Sequence, residues 1–162
     1  FSIENDRDNH PVTEVSWFGA NAFSYYYGWR LPTEHEWEKA ARGNHGWDYP
    51  FGNNISGNKA NYYNSEDPFD NGTTPVGYYN GQIYEYGQFE TSDSPSPYGL
   101  YDMAGNVWEL TDSWWTDNSN QKVRKGGSWV SIVLYLNSWY RTNANPIATY
   151  DNYSFRCVQN TE

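Results

Sequence analysis

The chain is most constrained by the segment 98–112, which reads Tyr-Gly-Leu-Tyr-Asp-Met-Ala-Gly-Asn-Val-Trp-Glu-Leu-Thr-Asp. Its apolar residues do not recur at helical spacing. Gly99, Gly105 and Asn106 are of the residue types that most readily adopt a positive φ or allow another backbone to approach closely. The segment is therefore predicted to be a tight turn that leads into a strand over residues 107–111.

The same segment places four oxygen donors close together in the sequence. Asp102 and Glu109 carry carboxylates, and the backbone carbonyls of Gly105 and Val107 lie between them. Hard cations such as Ca²⁺ bind oxygen shells of this kind, so a bound cation is one interpretation. The other is a tight turn whose acidic side chains face water.

A core built from aromatic rings follows from the composition. The 162 residues are enough for one domain, but 20% of them are aromatic and few are aliphatic. The rings of Tyr and Trp carry polar groups that need hydrogen-bond partners when they are buried. Residues 1–11 are polar and are predicted to be an irregular N-terminal remnant, and residues 12–162 are predicted to form a single domain.

The net charge of -10 limits the possible partners. Nucleic acid is not an expected partner, because its phosphates repel an acidic surface. No apolar run is long enough to span a bilayer, so we do not expect membrane insertion by this segment. Cys157 is the only cysteine, which excludes an intrachain disulfide.

The first predicted helix covers residues 17–27. Ser16 is a suitable N-cap for it, and Gly28 is placed to end it. Ala20, Phe23 and Tyr27 recur at helical spacing and are predicted to form its buried face.

The second predicted helix carries the strongest local signal in the chain. Thr33 and Glu36 have the spacing of a capping box, and Gly43 is placed to end the helix. Trp37 is predicted to lie on its buried face. A short strand is predicted at residues 12–15, before the first helix.

The long region after the second helix is rich in Gly, Asn, Pro, Asp, Ser and Tyr. Loops of this length are unusual within one domain unless something ties them down. Asn61, Asp67 and Asp70 could bind a second ion, with backbone carbonyls near Tyr62 and Phe69 completing its shell. A surface loop held by packed tyrosines, without metal, is equally compatible with the sequence.

Two further strands are predicted near the end of the chain. Residues 123–129 read Val-Arg-Lys-Gly-Gly-Ser-Trp, which indicates a strand broken by a bulge or kink at Gly126 and Gly127. Residues 155–159 are predicted to form the closing strand.

Four sequence blocks stand in order along the chain. They are residues 15–17 (Val-Ser-Trp), residues 30–43 (from Arg-Leu-Pro-Thr-Glu to Ala-Arg-Gly), residues 98–109, and residues 126–129 (Gly-Gly-Ser-Trp) followed by Arg141, Pro146 and Phe155-Arg156. Together they resemble the formylglycine-generating enzyme (sulfatase-modifying factor) family over roughly residues 11–158. The resemblance implies an α+β, C-type-lectin-like fold with two helices, short strands and long metal-stapled loops.

The resemblance also implies two structural calcium sites and so favours the cation interpretations. Calcium bound at these sites would hold loops together and would take no part in catalysis. The implied ligands are Asp102, Gly105, Val107 and Glu109 at the first site, and Asn61, Tyr62, Asp67 (or Asp70) and Phe69 at the second.

The resemblance does not extend to catalysis. The family's oxidase binds copper through two cysteines spaced Cys-x-x-x-x-Cys, directly after the Gly-Gly-Ser-aromatic block. The corresponding residues 130–136 contain no thiol, and a soft copper site needs two thiolates. The chain is therefore predicted to be noncatalytic, with a divergent formylglycine-generating-type oxidase as the alternative.

Residues 130–154 occupy the place of the family's substrate-facing surface. They contain no Lys, Glu, Gln or Met, although all four occur elsewhere in the chain. Diversity-generating retroelements randomise adenines in a gene by reverse transcription. An AAC asparagine codon whose adenines are replaced in this way cannot yield Lys, Glu, Gln or Met. The segment therefore resembles the variable region of diversity-generating retroelement proteins, which use this same fold. Trp139 is an exception, because an AAC codon cannot yield Trp either.

This segment is predicted to bind a protein or another macromolecule, outside the cell or on a cell or virion surface. Tyr, Ser, Asn and Asp suit adaptable contacts of that kind. Carbohydrate is the alternative ligand, although the Glu-Pro-Asn, Gln-Pro-Asp and Trp-Asn-Asp triplets of calcium-dependent lectins are absent. The predicted ligand-facing residues are Val130, Ser131, Ile132, Val133, Tyr135, Asn137, Tyr140, Thr142, Asn143, Asn145, Thr149, Tyr150, Asp151, Asn152 and Tyr153.

Overall fold

The computed structural model describes residues 7–69, 71–84 and 88–160. No helix in these ranges is both long and apolar enough to cross a membrane. In chain order the elements are α1 (Trp17–Tyr26), α2 (Glu34–Arg42), β1 (Ile83–Tyr84), β2 (Phe89–Glu90), β3 (Trp108–Trp114), β4 (Lys122–Lys125), a 3₁₀ helix (Val133–Leu136), β5 (Thr142–Ala144) and β6 (Tyr153–Ser154).

Four of these strands form the main sheet, in the order β5-β4-β3-β6. β4 pairs antiparallel with both β3 and β5, whereas β6 runs parallel to β3. β1 and β2 form a separate antiparallel pair. The segment 130–154 therefore follows β4, contributes β5 to one edge of the sheet, and contributes β6 to the opposite edge, beside β3.

The two faces of the main sheet pack against different parts of the chain, since successive strand residues point to opposite faces. On one face, the Lys125 ammonium lies 3.1 Å from a Glu38 oxygen of α2 and above the Trp37 ring. On the other face, Arg124 lies against rings that belong to the segment 130–154 and to β3.

The cap of α1 forms as predicted, but the helix buries a different face. Ser16 Oγ accepts a backbone N–H of the first turn at 3.2 Å. Of the predicted face only Ala20 is buried, whereas Phe23 and Tyr27 are 46% and 54% exposed. The helix docks through small side chains, because Ser24 is buried and its hydroxyl donates to the Ala20 carbonyl. Most large rings of α1 therefore point outward, but the half-buried Trp17 ring packs against the core and its Nε1 donates to the Thr111 carbonyl at 3.0 Å.

α2 forms as predicted. Glu36 N donates to Thr33 Oγ1 at 3.2 Å, and Thr33 N donates to the Glu36 carboxylate at 2.8 Å, which completes the capping box. Arg30 adds two hydrogen bonds of 2.6 Å to the same carboxylate, and these lower the pKa of Glu36 to about 2. Gly43 ends the helix with a φ of 61°.

The strand predicted at residues 12–15 does not form. Glu14 has a φ of 57°, which interrupts an extended run, and its N–H donates to the Tyr150 carbonyl at 3.0 Å. The prediction was wrong because this stretch is fixed by a distant loop and not by its own alternation.

The closing strand lies earlier than predicted. Tyr153–Ser154 makes the pairing with β3, and within residues 155–159 only Val158 forms a bridge, with Arg30. Arg156 is instead drawn into an interaction with β3 that is described below, which takes this stretch out of regular pairing.

Asn9 and His10 are tied to the domain, although they fall within the segment predicted as an irregular remnant. The Asn9 carbonyl accepts from Val76 N at 2.8 Å, and His10 Nδ1 lies 2.8 Å from Thr73 Oγ1. Residues 1–6 of that segment lie outside the described residues.

Candidate functional site

An ion pair between the buried Glu109 and the half-buried Arg156 joins the segment 98–112 to the end of the chain. Arg156 donates from Nε to Glu109 Oε2 at 2.5 Å and from Nη2 to Oε1 at 2.6 Å. Trp37 Nε1 also donates to Oε2, at 2.5 Å. Burial alone would lower the pKa of Arg156, but the neighbouring Glu109 carboxylate outweighs burial and raises it. Glu109 thus holds three distant parts of the fold together.

Asp102 lies close to this pair without joining it. Its φ is 59°, and its Oδ2 accepts from Gly77 N at 2.7 Å. Enclosure by the surrounding protein raises the pKa of Asp102 to about 6, although that hydrogen bond and the charge of Arg156 act to lower it. Asp102 and Glu109 line the same cavity.

The first implied calcium site fits these residues only in part. Asp102 fits, because an enclosed carboxylate with a raised pKa would be stabilised by a cation beside it. Val107 lines the same cavity, but Gly105 is not among the residues that line it. Glu109 fits poorly, because the Arg156 guanidinium already neutralises its carboxylate.

The second implied site is better assembled. Asn61, Tyr62 and Asp67 line one pocket, whereas Phe69 lines a neighbouring one. Asp67 Oδ2 accepts from Ser65 Oγ at 2.6 Å, and Oδ1 accepts from the backbone N of Phe69 at 2.8 Å. The Tyr79 hydroxyl also donates to Oδ2, at 3.4 Å. Within the described part of the chain Asp67 forms no ion pair, so no basic side chain there neutralises its carboxylate.

The loop around the second site has an unusual backbone. Asn64, Glu66 and Asn71 have φ values of 62°, 61° and 64°, a region that non-glycine residues rarely adopt. The described residues contain no group of three or more His, Cys, Asp or Glu side chains that could hold a metal. A calcium shell here would therefore depend on amide and carbonyl oxygens. Asp70, the alternative ligand, lies outside the described residues.

The two implied sites are in contact through the backbone. The Asn61 carbonyl accepts from Asn106 N at 2.8 Å. The same carbonyl packs on Gly105 so closely that a β-carbon there would lie 2.1 Å from its oxygen. The loops of the two implied sites therefore pack directly against each other at Asn61 and Gly105.

Cys157 is half-buried, and its Sγ lies 3.2 Å from Ser24 Oγ. It is the only thiol in the sequence, and a soft copper site of the formylglycine-generating type needs two. The residues present do not fit that cofactor.

Outward-facing and buried side chains are interleaved along the segment 130–154. The predicted ligand-facing residues divide accordingly, and twelve of the fifteen retain some exposure. The exposed ones are Val130, Ile132, Asn145, Thr149, Tyr150 and Asp151, and the half-buried ones are Val133, Tyr135, Tyr140, Thr142, Asn143 and Asn152.

Ser131, Asn137 and Tyr153 are buried, and the prediction that they face a ligand is wrong. Ser131 Oγ accepts from Ser128 N at 3.0 Å, and Asn137 Nδ2 donates to the Leu134 carbonyl at 2.8 Å. Tyr153 lies in β6, and its ring is part of the core. All three fix the shape of the segment from within.

Three exposed apolar residues of the segment were missed: Leu134, Trp139 and Ile147. Leu134 lies two residues before the buried Leu136, and this alternation could have revealed it. Trp139 is not among the predicted ligand-facing residues because an AAC codon cannot yield it. Its ring is nevertheless partly exposed, and its Nε1 donates to Asp48 Oδ1 at 3.1 Å. Ile147 carried no signal that would have marked it.

An aromatic cluster lies between the segment and the sheet. The Trp108 ring centroid lies 6.3 Å from that of Tyr135 and 6.4 Å from that of Tyr140, and the two tyrosine rings are 4.9 Å apart. The Arg124 guanidinium carbon lies 4.7 Å from the Trp108 centroid and 4.5 Å from that of Tyr153. The half-buried part of the segment thus rests on rings and one arginine.

Comparisons with known proteins agree with one another. A family model for the sulfatase-modifying factor enzyme 1-like domain matches residues 2–161. A formylglycine-generating enzyme of Thermomonospora curvata is 35% identical over 177 residues, which cover 94% of this chain and 56% of the relative. The inactive C-alpha-formylglycine-generating enzyme 2 of Bos taurus is 36% identical over 163 residues, which cover 91% of this chain and 50% of the relative.

Solved structures support the same fold. Treponema denticola variable protein 1 superposes with a TM-score of 0.74 at 21% identity, covering 96% of this chain and 73% of that one. The expected α+β, C-type-lectin-like fold is confirmed by this likeness and others of its kind.

This chain spans only part of the curated relatives that it matches. A Chlamydia pneumoniae protein named serine/threonine-protein kinase pkn1 is 35% identical over 176 residues, which are 98% of this chain but 25% of the relative. The activities of such longer proteins do not follow from the match alone.

Proposed function

This chain belongs to the sulfatase-modifying factor enzyme 1-like domain family, and on that premise we propose that it is a noncatalytic member that binds a macromolecule. Its binding face is the exposed side of the segment 130–154. The relatives include both a formylglycine-generating enzyme and an inactive one, so membership does not assign a reaction. A chain with one cysteine cannot supply the two thiolates of the copper site.

One observation carries this proposal, namely the interleaving of buried and exposed residues along the segment. Buried residues such as Leu136 and Asn137 fix the segment to the domain. Between them, large apolar side chains such as those of Ile132 and Tyr150 remain 52% and 53% exposed. Apolar side chains displayed on a fixed backbone are typical of contact surfaces.

A protein suits this face better than a carbohydrate. Four of its exposed side chains are aliphatic and gain most from the burial of apolar area against another apolar surface. These four are Val130, Ile132, Leu134 and Ile147.

We propose further that a retroelement diversifies this face, and that the protein displays it outside the cell or on a cell or virion surface. The absence of Lys, Glu, Gln and Met from residues 130–154 supports diversification at adenines. Trp139 would then be invariant. A complete genome must contain a near-identical repeat that differs only at adenines, beside a reverse transcriptase. A genome that lacks such a repeat would exclude diversification and leave the binding proposal intact.

Single replacements of Ile132, Leu134 or Tyr150 by Ala should weaken binding at least about tenfold and leave the Tm nearly unchanged. The reason is that about half of each side chain is exposed. The Tyr150 ring also packs against that of the buried Tyr153, with centroids 4.8 Å apart, so its replacement should lower the Tm slightly more than the other two. Peptides selected from a phage-displayed library on the intact domain would serve as probes, and their affinities would be measured by biolayer interferometry.

Tyr25→Ala provides the matched control, because Tyr25 is an exposed aromatic residue on α1, which lies outside the segment. It should leave the affinity unchanged. Asn137→Ala should lower the Tm, since Asn137 is buried. If the affinity of the selected peptides falls only with Tyr25→Ala, the segment 130–154 is not the binding face.

We propose that Ca²⁺ is a structural ion of this domain and that the second site holds it. Asn61, Tyr62 and Asp67 share one pocket, and Asp67 carries no ion pair in the described part of the chain. Calcium at 100 times its Kd should raise the stability by about 2.7 kcal/mol, because it binds only the folded state. EDTA should therefore lower the Tm, and added calcium should restore it.

Asp67→Asn should abolish the response to EDTA, whereas Asp117→Asn, an exposed acid elsewhere, should keep it. A response that persists in Asp67→Asn and disappears in Asp102→Asn would move the ion to the first site. A wild-type protein that melts identically with EDTA and with calcium would remove both sites.

A further inference from the structure

Arg124 combines partial burial and contact with two rings with the lack of a counter-charge among the described residues. Within the described part of the chain it forms no ion pair, although the sequence contains 20 acidic residues and 10 basic ones. The other basic side chains are mostly paired with carboxylates. Those that form ion pairs are Arg30, Arg42, Lys122, Lys125, Arg141 and Arg156.

The surroundings of Arg124 make this lack of a partner costly. Its guanidinium is held between the rings of Trp108 and Tyr153, and its Nε is enclosed without a hydrogen-bond acceptor among the described residues. Burial lowers the pKa of Arg124, against the opposing effect of nearby tyrosines. Rings compensate a buried cation only in part, and an unpaired buried donor is unfavourable.

The protein itself shows the usual solution to this problem. Three other cations lie over tryptophan rings: Lys122, Lys125 and Arg141. Each of these also pairs with a carboxylate of the same chain. Arg124 has two rings but no carboxylate, so a carboxylate from outside the described chain would complete the same arrangement.

Arg124 is placed where a partner could reach it. Its residue is half-buried, and its guanidinium packs on the rings of Trp108 and Tyr153. Those two rings lie beside the rings of Tyr140 and Tyr150, with centroid distances of 6.4 Å and 4.8 Å. Tyr150 is exposed and Tyr140 is half-buried, and both belong to the segment 130–154. The guanidinium therefore lies at the base of the proposed binding face.

We propose that Arg124 anchors the carboxylate of an acidic side chain in an otherwise apolar segment of a protein partner. This inference rests on the proposed function, because it names the chemistry that the same face recognises. Because Nε is enclosed, the carboxylate would contact the two terminal nitrogens of the guanidinium. A bidentate arginine–carboxylate contact flanked by rings is strong and geometrically specific. A polysulfated glycan suits the site less well, because a chain with a net charge of -10 repels a polyanion more strongly than it repels a single carboxylate.

Two capped tripeptides, acetyl-Leu-Glu-Leu-amide and acetyl-Leu-Gln-Leu-amide, are suitable probes because they differ only in the carboxylate. They would be titrated into the ¹⁵N-labelled full chain while the Arg124 Nε–H and Trp108 Nε1–H resonances are followed. The Glu peptide should shift both resonances to saturation and bind about tenfold more tightly than the Gln peptide. Equal binding of the two peptides, or shifts that do not saturate, would overturn the proposal.

Arg124→Met should abolish the preference for the Glu peptide, because it keeps the hydrocarbon stem and removes the charge. Arg141→Met is the matched control, since Arg141 also lies over a tryptophan but has its own carboxylate partner. It should retain the preference. If Arg124→Met fails to fold, Arg124→Lys should fold and keep only part of the preference, because it has the charge without the planar fork.

A heparin fragment forms the last arm of the experiment. Should it displace the Glu peptide and bind more tightly, the anion site would belong to a glycan and the protein-partner inference would be overturned. If phage-selected peptides bind Arg124→Met as tightly as the wild type, Arg124 is not an anchor for the partner. The proposed binding face would be unaffected by that result. A third outcome is that the Glu peptide binds saturably but no peptide can be selected on the domain by phage display. That outcome would contradict the proposed function and support the anion site.

Discussion

Arg156→Met is expected to lower the free energy of unfolding by about 3–5 kcal/mol. The substitution leaves the Glu109 carboxylate buried, with Trp37 as its remaining donor. An unpaired charge in that position is far more costly than the pair was favourable. Urea denaturation followed by tryptophan fluorescence would measure the loss.

Arg30→Met is the matched control, because Arg30 also makes two short hydrogen bonds to one glutamate, Glu36, but at the surface. Its loss should be about 0–1 kcal/mol. The double variant Glu109→Gln/Arg156→Met should recover part of the stability, since neither charge is then left buried alone. Similar losses for Arg156→Met and Arg30→Met would show that burial does not set the cost.

Gly105→Ala is expected to destabilise the domain by about 3 kcal/mol or more, through two separate effects. The new β-carbon would lie 2.1 Å from the Asn61 carbonyl oxygen, so the loop of the second site would have to move. In addition, Gly105 has a φ of 78°, which a residue with a β-carbon adopts only with strain.

Gly99→Ala separates these effects, because Gly99 has the same φ of 78° and a β-carbon added to it would meet no heavy atom within 4 Å beyond its chain neighbours. It should cost only about 1–2 kcal/mol, the contribution of the backbone conformation alone. Urea denaturation of both variants would test the comparison. Equal losses would mean that the contact between the two loops is not as tight as its geometry indicates.

Features that depend on neighbouring residues could be predicted from the sequence. The capping box of α2 needs only Thr33 and Glu36, which lie three positions apart. The break after β4 needs only Gly126 and Gly127, whose φ values are 92° and 76°. In both cases the residues that satisfy the backbone are present in the local sequence, so no knowledge of the rest of the fold was required.

Features that depend on distant partners could not be predicted in this way. Glu109 looked like a cation ligand because of nearby oxygens, but its counter-ion is Arg156, 47 residues away, and Trp37 lies 72 residues away. The isolation of Arg124 is likewise visible only once β4 has been placed beneath the aromatic cluster. The family resemblance, which rests on the ordered blocks, implied the fold but did not reveal these pairings.

The parallel pairing of β6 with β3 has a consequence for how quickly the domain can fold. Parallel neighbours must be joined by a crossover, and here it spans residues 115–152, which contain β4, β5 and the segment 130–154 up to the start of β6. The chain must close this long loop before the β3–β6 pairing can offset the conformational entropy lost in closing it. Domains with such non-local pairings fold slowly, and we expect this domain to do the same. Sequence changes confined to the outward side chains of the crossover leave that closure unaltered. The face can therefore vary without changing the slow step by which its scaffold is made.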